Sequence, residues 1–398
     1  MSMAIHLPWR WMVGKSYNMS LNNKDVPIVW VEKDDDLVKW CDHFAALPVI
    51  AVDTEFIRRT TFYPITGLIQ ISEGEHAVLV DPLAISNWQP LIDLMTNQSV
   101  VKVFHACSED LEVFDRLLGV VPSPFYDTQV AEAYVSGQWS LSYVKLILAY
   151  KNIEIAKDET RSDWLKRPLT EAQKRYAALD VIHLIDVYHT QMDALDKKNM
   201  LAWALEDGAA IIHQYRLNSD PEQNWFNVKS AWRLNPKSLT LLRLLFVWRD
   251  KTARAEDVPK GQVIKDRTLW AIAKFFPDNH NALSRTEEMT GRQHRLYGEH
   301  ILETVALVKE LSQDEYQLAL DMPLPSQAGE LSKAIKAFVV EKAKGLGIAP
   351  EAALKKKQLD PIVRHLFLGE ALTLIPPTMT GWRKAEIIEP ILERFAKA

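Results

Sequence analysis

The sequence predicts an α/β domain, a mixed sheet with flanking helices, followed by two all-α helical domains. Three observations carry this expectation. Residues from about 25 to 220 alternate strand-like and helix-like segments, strand patterning stops near residue 233, and a polar, proline-bearing stretch, SQDEYQLALDMPLPSQAGE, splits the helical remainder into two blocks. The expected divisions are an N-terminal extension over 1–24, the α/β domain over 25–220, and helical domains over 228–314 and 326–398.

The elements follow in order. LPVIAVDTEFI is apolar and β-branched up to an acidic tip, as a buried strand requires. GLIQISEG and HAVLVDPL are two further short strands, separated by the turn-like SEGEH. VVKVFHA is another strand, and SEDLEVFDRLLG then takes helical spacing, with Ser108 as the expected N-cap and Gly119 where the helix should stop. FYDTQVAEAYVSG and LSYVKLILAY are helical in period. TEAQKRYAALDVIHLIDVYHTQMDAL reads as one long amphipathic helix, with Thr170 and Glu171 at its start. Beyond 233, Leu239, Leu242 and Phe246 fall at helical spacing, and RTLWAIAKFFP and GEHILETVALVKEL are two more amphipathic helices. SKAIKAFVVEKAKGLG, PEAALKKKQLDPIVRHLFLG and GWRKAEIIEPILERFAKA form the last set.

Composition narrows the class. No apolar run reaches the roughly 20 residues that cross a bilayer. The first residues lack the continuous apolar stretch of a secretory signal. Cys41 and Cys107 are the only cysteines, which leaves no disulfide framework or cysteine-rich zinc site. The expectation is a cytoplasmic monomer without a membrane partner. The net charge of −5 conceals an asymmetry: residues 1–220 hold 20 Lys+Arg against 30 Asp+Glu, and residues 221–398 hold 27 against 22. An acidic half joined to a basic half suits a carboxylate-rich catalytic body with a phosphate-attracting appendage.

Candidate chemistry begins at Asp53-Thr54-Glu55. Residues two apart on a strand project from one face, so both carboxylates point the same way. Two adjacent anions cost free energy unless a cation or a proton joins them. Asp110 lies in the first turn of the helix after VVKVFHA, where the helix dipole also favours a carboxylate. Tyr176 and Asp180 are four residues apart on a helix and share a face. Hard divalent cations such as Mg²⁺ and Mn²⁺ take oxygen ligands of this kind, and two of them can clamp the attacking and leaving oxygens of a phosphoryl displacement. The set is therefore chemically suited to phosphodiester hydrolysis.

DTE, HACSEDLEVF and YAALD resemble the three exonuclease motifs of the DEDD superfamily, whose fold is ribonuclease-H-like. Tyr176 stands where its Tyr subclass has a tyrosine, and Arg175 stands where the His subclass has a histidine. The strings DTEFIRRTTFYPITGLIQIS, HACSEDLEVF, DTQVAEAY and RSDWLKRPLTEAQKRYAALDV are similar to ribonuclease D over most of residues 45–190. SLTLLRLLFVWRDKTARAEDVP and the helix holding Leu269 and Trp270 resemble an HRDC domain, and the final block resembles the second HRDC-like domain of that family.

The resemblance implies a 3′→5′ exoribonuclease releasing 5′-mononucleotides with two divalent metal ions, Mg²⁺ or Mn²⁺. It implies that Asp53 bridges both ions, that Glu55 and Asp180 complete the first, that Asp110 holds the second, and that Tyr176 orients the attacking water. The implied partner is RNA with a free 3′ end, tRNA precursors and other small structured RNAs among them. Phe56 stacks on the terminal base or fills the core on the opposite face. His105 touches the terminal ribose or is a structural histidine. Arg161, Lys166 and Arg167 line the RNA path or are solvated loop charges, and Lys355–Lys357 are a solvated helix face or a phosphate contact. Two other readings stay open: a DNA exonuclease of the same superfamily, since metal chemistry does not inspect the sugar, and a silent RNA-binding adaptor.

Overall fold

A computed structural model describes residues 26–155, 162–375 and 378–396. The expected N-terminal extension, 1–24, and Arg161 lie outside the described residues. The elements in chain order are β1 (Ile28–Val31), α1 (Asp34–Ala45), β2 (Val49–Ile57), β3 (Ile65–Ser72), β4 (Ala77–Val80), α2 (Gln89–Thr96), β5 (Val101–Phe104), α3 (Ser108–Leu118), β6 (Phe125–Asp127), α4 (Thr128–Val135), α5 (Tyr143–Lys151), α6 (Glu171–Ile182), α7 (Leu184–Lys197) and α8 (Leu201–Ser219). There follow α9 (Pro236–Ala255), α10 (Lys260–Val263), α11 (Asp266–Phe275), α12 (His280–Ser284), α13 (Gly291–Glu310), α14 (Gly329–Leu346), α15 (Pro350–Ala353), α16 (Lys356–Leu368) and α17 (Glu389–Phe395). The chain divides into two compact units, one of residues 1–57, 66–212 and 330–398, the other of 58–65 and 213–329.

Among the described residues, the first unit is built on a six-stranded mixed sheet in the order β1-β4-β3-β2-β5-β6. β4 runs parallel to β1 and antiparallel to β3, while β5 runs parallel to both β2 and β6. Ile50, Ala51 and Val52 are fully buried, as the unbroken apolar run of β2 predicts for a central strand covered on both faces.

Three local readings need correction. FYDTQV is not helical throughout: Phe125–Asp127 forms β6, and Asp127 ends it as the N-cap of α4, accepting from the backbone N–H of Gln129 and Val130. Three residues are too few to show strand alternation. Ser108 is the first residue of α3 rather than its cap, which is Cys107 without a side-chain capping bond. The long helix from Thr170 breaks at His183 into α6 and α7. Residues 177–185 are buried apart from half-exposed Asp180, and a straight helix against one face cannot bury so continuous a run. Gly119 does end α3, in the left-handed conformation with φ 70°.

The last helical block, read from sequence as a domain over 326–398, groups with the sheet rather than standing apart. Arg383, buried, explains why. Its Nη1 donates to Asp207 Oδ1 at 2.6 Å, its Nε donates to the Ala352 carbonyl at 2.8 Å, and Tyr134 donates to Asp207 Oδ2 at 2.6 Å. Trp382 stacks on Trp203 with ring centroids 4.3 Å apart, and Ala349 N donates to the Ala133 carbonyl at 2.8 Å. Gly381 sits at φ 60°, a left-handed conformation that strains any side chain, and a Cβ there would displace the Glu206 carboxylate, 2.4 Å away. A buried cation needs its partners held close, and these hold 383 against 134 and 207.

The second unit is helical among its described residues. Asn235 caps α9 by accepting from Ser238 N at 2.9 Å, with Pro236 at the first helical position. Leu239, Leu242, Leu245, Ile272, Ile301 and Val305 share its core. Residues 58–65 belong to this unit: Phe62 N and Tyr63 N both donate to Asp257 Oδ1 at 3.0 Å, and the Phe62 ring lies 4.7 Å from the Arg254 guanidinium.

Candidate active site

The acids are assembled from three elements. β2 pairs with β5 through Val49, Ile50 and Ala51, so Asp53, at the middle of the strand, and Glu55 lie past the last residue paired to β5. Alternation turns both carboxylates to one face. α6 begins at a Thr170–Gln173 capping box, which sets its register and brings Tyr176 and Asp180 onto β2 one turn apart. Asp53, Glu55 and Asp180 each place a carboxylate oxygen within 4.8 Å of the others. Tyr176 packs in a small core with Leu68, Leu79 and Trp164, its ring centroid 6.1 Å from that of Trp164. Trp164 in turn sits on Gly67, where a Cβ would come within 2.6 Å of the tryptophan Cβ; any side chain there would lever this wall outward.

Asp110 arrives on α3 and is held at the junction before it. Asp127 accepts from Ala106 N at 3.2 Å and Cys107 N at 2.9 Å while also capping α4. One carboxylate thus fixes the turn into the helix that carries another. Asp110 is buried, and Thr54, the residue between Asp53 and Glu55, donates its hydroxyl to Asp110 Oδ1.

Electrostatics couple the set. Burial, then the charges of Asp110, Asp180 and Glu55, holds Asp53 well above the ordinary carboxylate range. Burial and the charges of Asp180 and Asp110 push Glu55 up to about 9. Asp180 is raised to about 7 by burial, opposed by the hydrogen bond from Tyr176, and Asp110 to about 6 by burial, opposed by the hydrogen bond from Thr54. Four enclosed acids therefore hold protons at pH values where isolated carboxylates have none. Burial and the neighbouring anions also keep Tyr176 protonated. The donor set is all oxygen, which fits hard divalent cations and not thiophilic ones.

The structure brings together Asp53, Glu55, Asp110, Tyr176 and Asp180. Phe56 is half-buried at the end of β2. Thr128 Oγ1 donates its single proton to the Phe104 carbonyl, so the 2.9 Å contact with His105 has imidazole Nδ1–H as donor. That commitment favours the structural reading of His105. Arg167 is likewise committed, with Nε and Nη2 to Asp81 at 2.7 and 2.6 Å and Nη1 to the Trp164 carbonyl at 2.8 Å. Lys166 is exposed, as are Lys355–Lys357, with Lys355 Nζ 5.2 Å from the Trp139 ring. Thr54, Asp127 and Tyr143 were not singled out from sequence. Tyr143 donates to the Leu179 carbonyl beside Asp180, and burial and the charges of Asp180 and Asp53 raise its pKa. Nothing in LSYVKLILAY distinguishes that ring from a core tyrosine.

A 3′-5′ exonuclease family model matches residues 28–196, and an HRDC domain model matches residues 238–305. Ribonuclease D of Pseudomonas paraeruginosa is 41% identical over 93% of this chain and 98% of its own. Ribonuclease D of Escherichia coli is 32% identical over 92% of this chain and 98% of its own. The crystal structure of Escherichia coli RNase D, described as an exoribonuclease involved in structured RNA processing, superposes with a TM-score of 0.84 at 31% identity, covering 94% of this chain and 100% of that one.

Proposed function

The chain belongs to the ribonuclease D family, and from that premise we propose that Asp53, Glu55, Asp110 and Asp180 hold two divalent cations, Mg²⁺ or Mn²⁺, with which it trims RNA from a free 3′ end. The chain is a 3′→5′ exoribonuclease; the proposal concerns how and on what it acts. The observation that carries it is the meeting of Asp53, Glu55 and Asp180 within 4.8 Å, with Asp110 close enough for its charge to weigh most among those bearing on Asp53.

Asp53, Glu55 and Asp180 are assigned to one cation and Asp53 with Asp110 to the other. When bound, such cations supply Lewis acidity and neutralise charge that develops on the phosphate. The chain's own residues do the rest. Tyr176 spends its proton on Asp180, which leaves the phenolic oxygen as an acceptor for one O–H of the attacking water. Glu55 and Asp180, neighbours on one face, lose their protons on taking up a cation and so end as anions around it. Phe56, next to Glu55, is assigned to stack on the terminal base. The proposed substrates are tRNA precursors and other small structured RNAs, processed by a cytoplasmic monomer.

A 5′-labelled single-stranded RNA tests this. With a free 3′ hydroxyl it is expected to shorten one nucleotide at a time in Mg²⁺; with a blocked 3′ terminus it stays whole. Internal cuts in the blocked RNA contradict the free-end reading, and faster loss of the matched DNA strand contradicts the preference for RNA.

A further inference from the structure

Thr54 is placed oddly for an ordinary strand residue. Strand alternation points it away from the face that carries Asp53 and Glu55. It is buried, and its hydroxyl reaches Asp110 Oδ1 across 56 residues of sequence. Asp110 is the acid that stands outside the close group of Asp53, Glu55 and Asp180, although its charge bears on both Asp53 and Glu55. A carboxylate in that position can swing about its side-chain torsions, and nothing in the three-acid group fixes it. The Thr54 hydroxyl does, beside a hydrogen bond from Asp110's own backbone N–H.

We infer that Thr54 is a positioning residue: its hydroxyl sets the orientation of the Asp110 carboxylate and thereby the affinity of the cation place that Asp110 shares with Asp53. The inference rests on the divalent-cation reading above. Its chemistry is that of a ligand oriented by a hydrogen bond from behind. Such a bond holds the oxygen toward the cation before the cation arrives, so less ordering is left to binding. The geometry also separates the two cation places. Glu55 and Asp180 have no hydrogen bond from Thr54, so loss of its hydroxyl falls on one place and spares the other. Because Thr54 sits on the same strand as Asp53 and Glu55, one peptide segment sets the positions of three of the four acids.

The test uses the full chain, Mn²⁺ as the probe and uridine 5′-monophosphate to stand for the product phosphate. Bound Mn²⁺ is read from the loss of the free-ion paramagnetic resonance signal. Wild type is expected to take two ions. Thr54→Val, which keeps the β-branched shape and removes the donor, is expected to weaken one by roughly 10- to 100-fold and leave the other unchanged. Thr54→Ser, which keeps the hydroxyl, is expected to restore the second ion. In cleavage assays the Mg²⁺ concentration for half-maximal rate should rise in Thr54→Val and return in Thr54→Ser. Equal binding by Thr54→Val and wild type, equal weakening of both ions, or a Thr54→Ser as impaired as Thr54→Val overturns the inference alone. A wild-type chain that takes up no Mn²⁺ overturns it together with the cation reading.

Discussion

Asp53 is where the charges of the other acids converge, and its surroundings set opposing demands on activity and stability. Burial and three neighbouring carboxylates raise its pKa, so its ionised form is disfavoured unless a cation compensates. For the folded chain this fixes a sign. Glu55 at about 9, Asp180 at about 7 and Asp110 at about 6 all lie above the unfolded carboxylate values of about 4. The native state then binds more protons than the unfolded one across this window. The stability these groups contribute is full below about pH 4 and is lost as pH rises through about 6, 7 and 9. Thermal melts in chelator should show the midpoint falling from pH 5 to pH 9, with Mg²⁺ flattening the slope; a midpoint that rises over this window contradicts the enclosed-acid account. Tyr176→Phe removes an acceptor and leaves every carboxylate in place. It should lower kcat by about 10²- to 10⁴-fold with Mn²⁺ binding retained, measured by single-turnover cleavage alongside titration. At this scale Asp53, Glu55, Asp110, Tyr176 and Asp180 were visible in the sequence because motif and chemistry coincide. Thr54 was not, because a hydroxyl between two acids looks like any strand threonine until Asp110 is seen against it.

Elements place these residues through their ends. α3 carries Asp110 only as well as the turn before it is held, and that turn hangs on Asp127. Its Oδ1 accepts from Ala106, Gln129 and Val130 and its Oδ2 from Cys107. Asp127→Asn keeps one oxygen for the cap but presents an amide to the Cys107 N–H. A loss of about 1–3 kcal/mol in urea unfolding is the expected outcome, with weaker Mg²⁺ dependence of cleavage at the same time. No change in either would show that the junction does not need the carboxylate. Strands β2 to β5 were legible in their apolar runs, and the helices read from sequence in their period and in end signals such as Thr170 and Gly119. The three-residue strand β6 and the break at His183 were not. The first is shorter than any pattern, and the second arises where the chain is buried all round, a condition set by neighbours rather than by its own periodicity.

For the whole molecule, the order of domains along the chain differs from their grouping in space. The helices after residue 329 lie with the sheet through the buried Arg383–Asp207–Tyr134 network, while 58–65 leaves the sheet to join the other unit. Arg383→Met strands the Asp207 carboxylate without its cation and should cost about 3–5 kcal/mol, and adding Asp207→Asn should recover part of that loss. Calorimetry on the single and double variants decides it. A fully additive cycle would mean the pair is not coupled. From sequence, the shift from mixed to all-helical patterning was plain. The docking of the last block was not, since a buried arginine and its partner 176 residues away carry no local signal.

Single-turnover degradation of 5′-labelled RNA by wild type and Asp53→Asn, read beside RNA binding by filter retention, tests whether acids from β2, α3 and α6 act as one cation-dependent centre. Stepwise shortening from the 3′ end by wild type in Mg²⁺, none in chelator, and none by Asp53→Asn, with RNA retained equally by both proteins, is the expected outcome. Cleavage by Asp53→Asn at the wild-type rate, or undiminished cleavage by wild type in chelator, would contradict it.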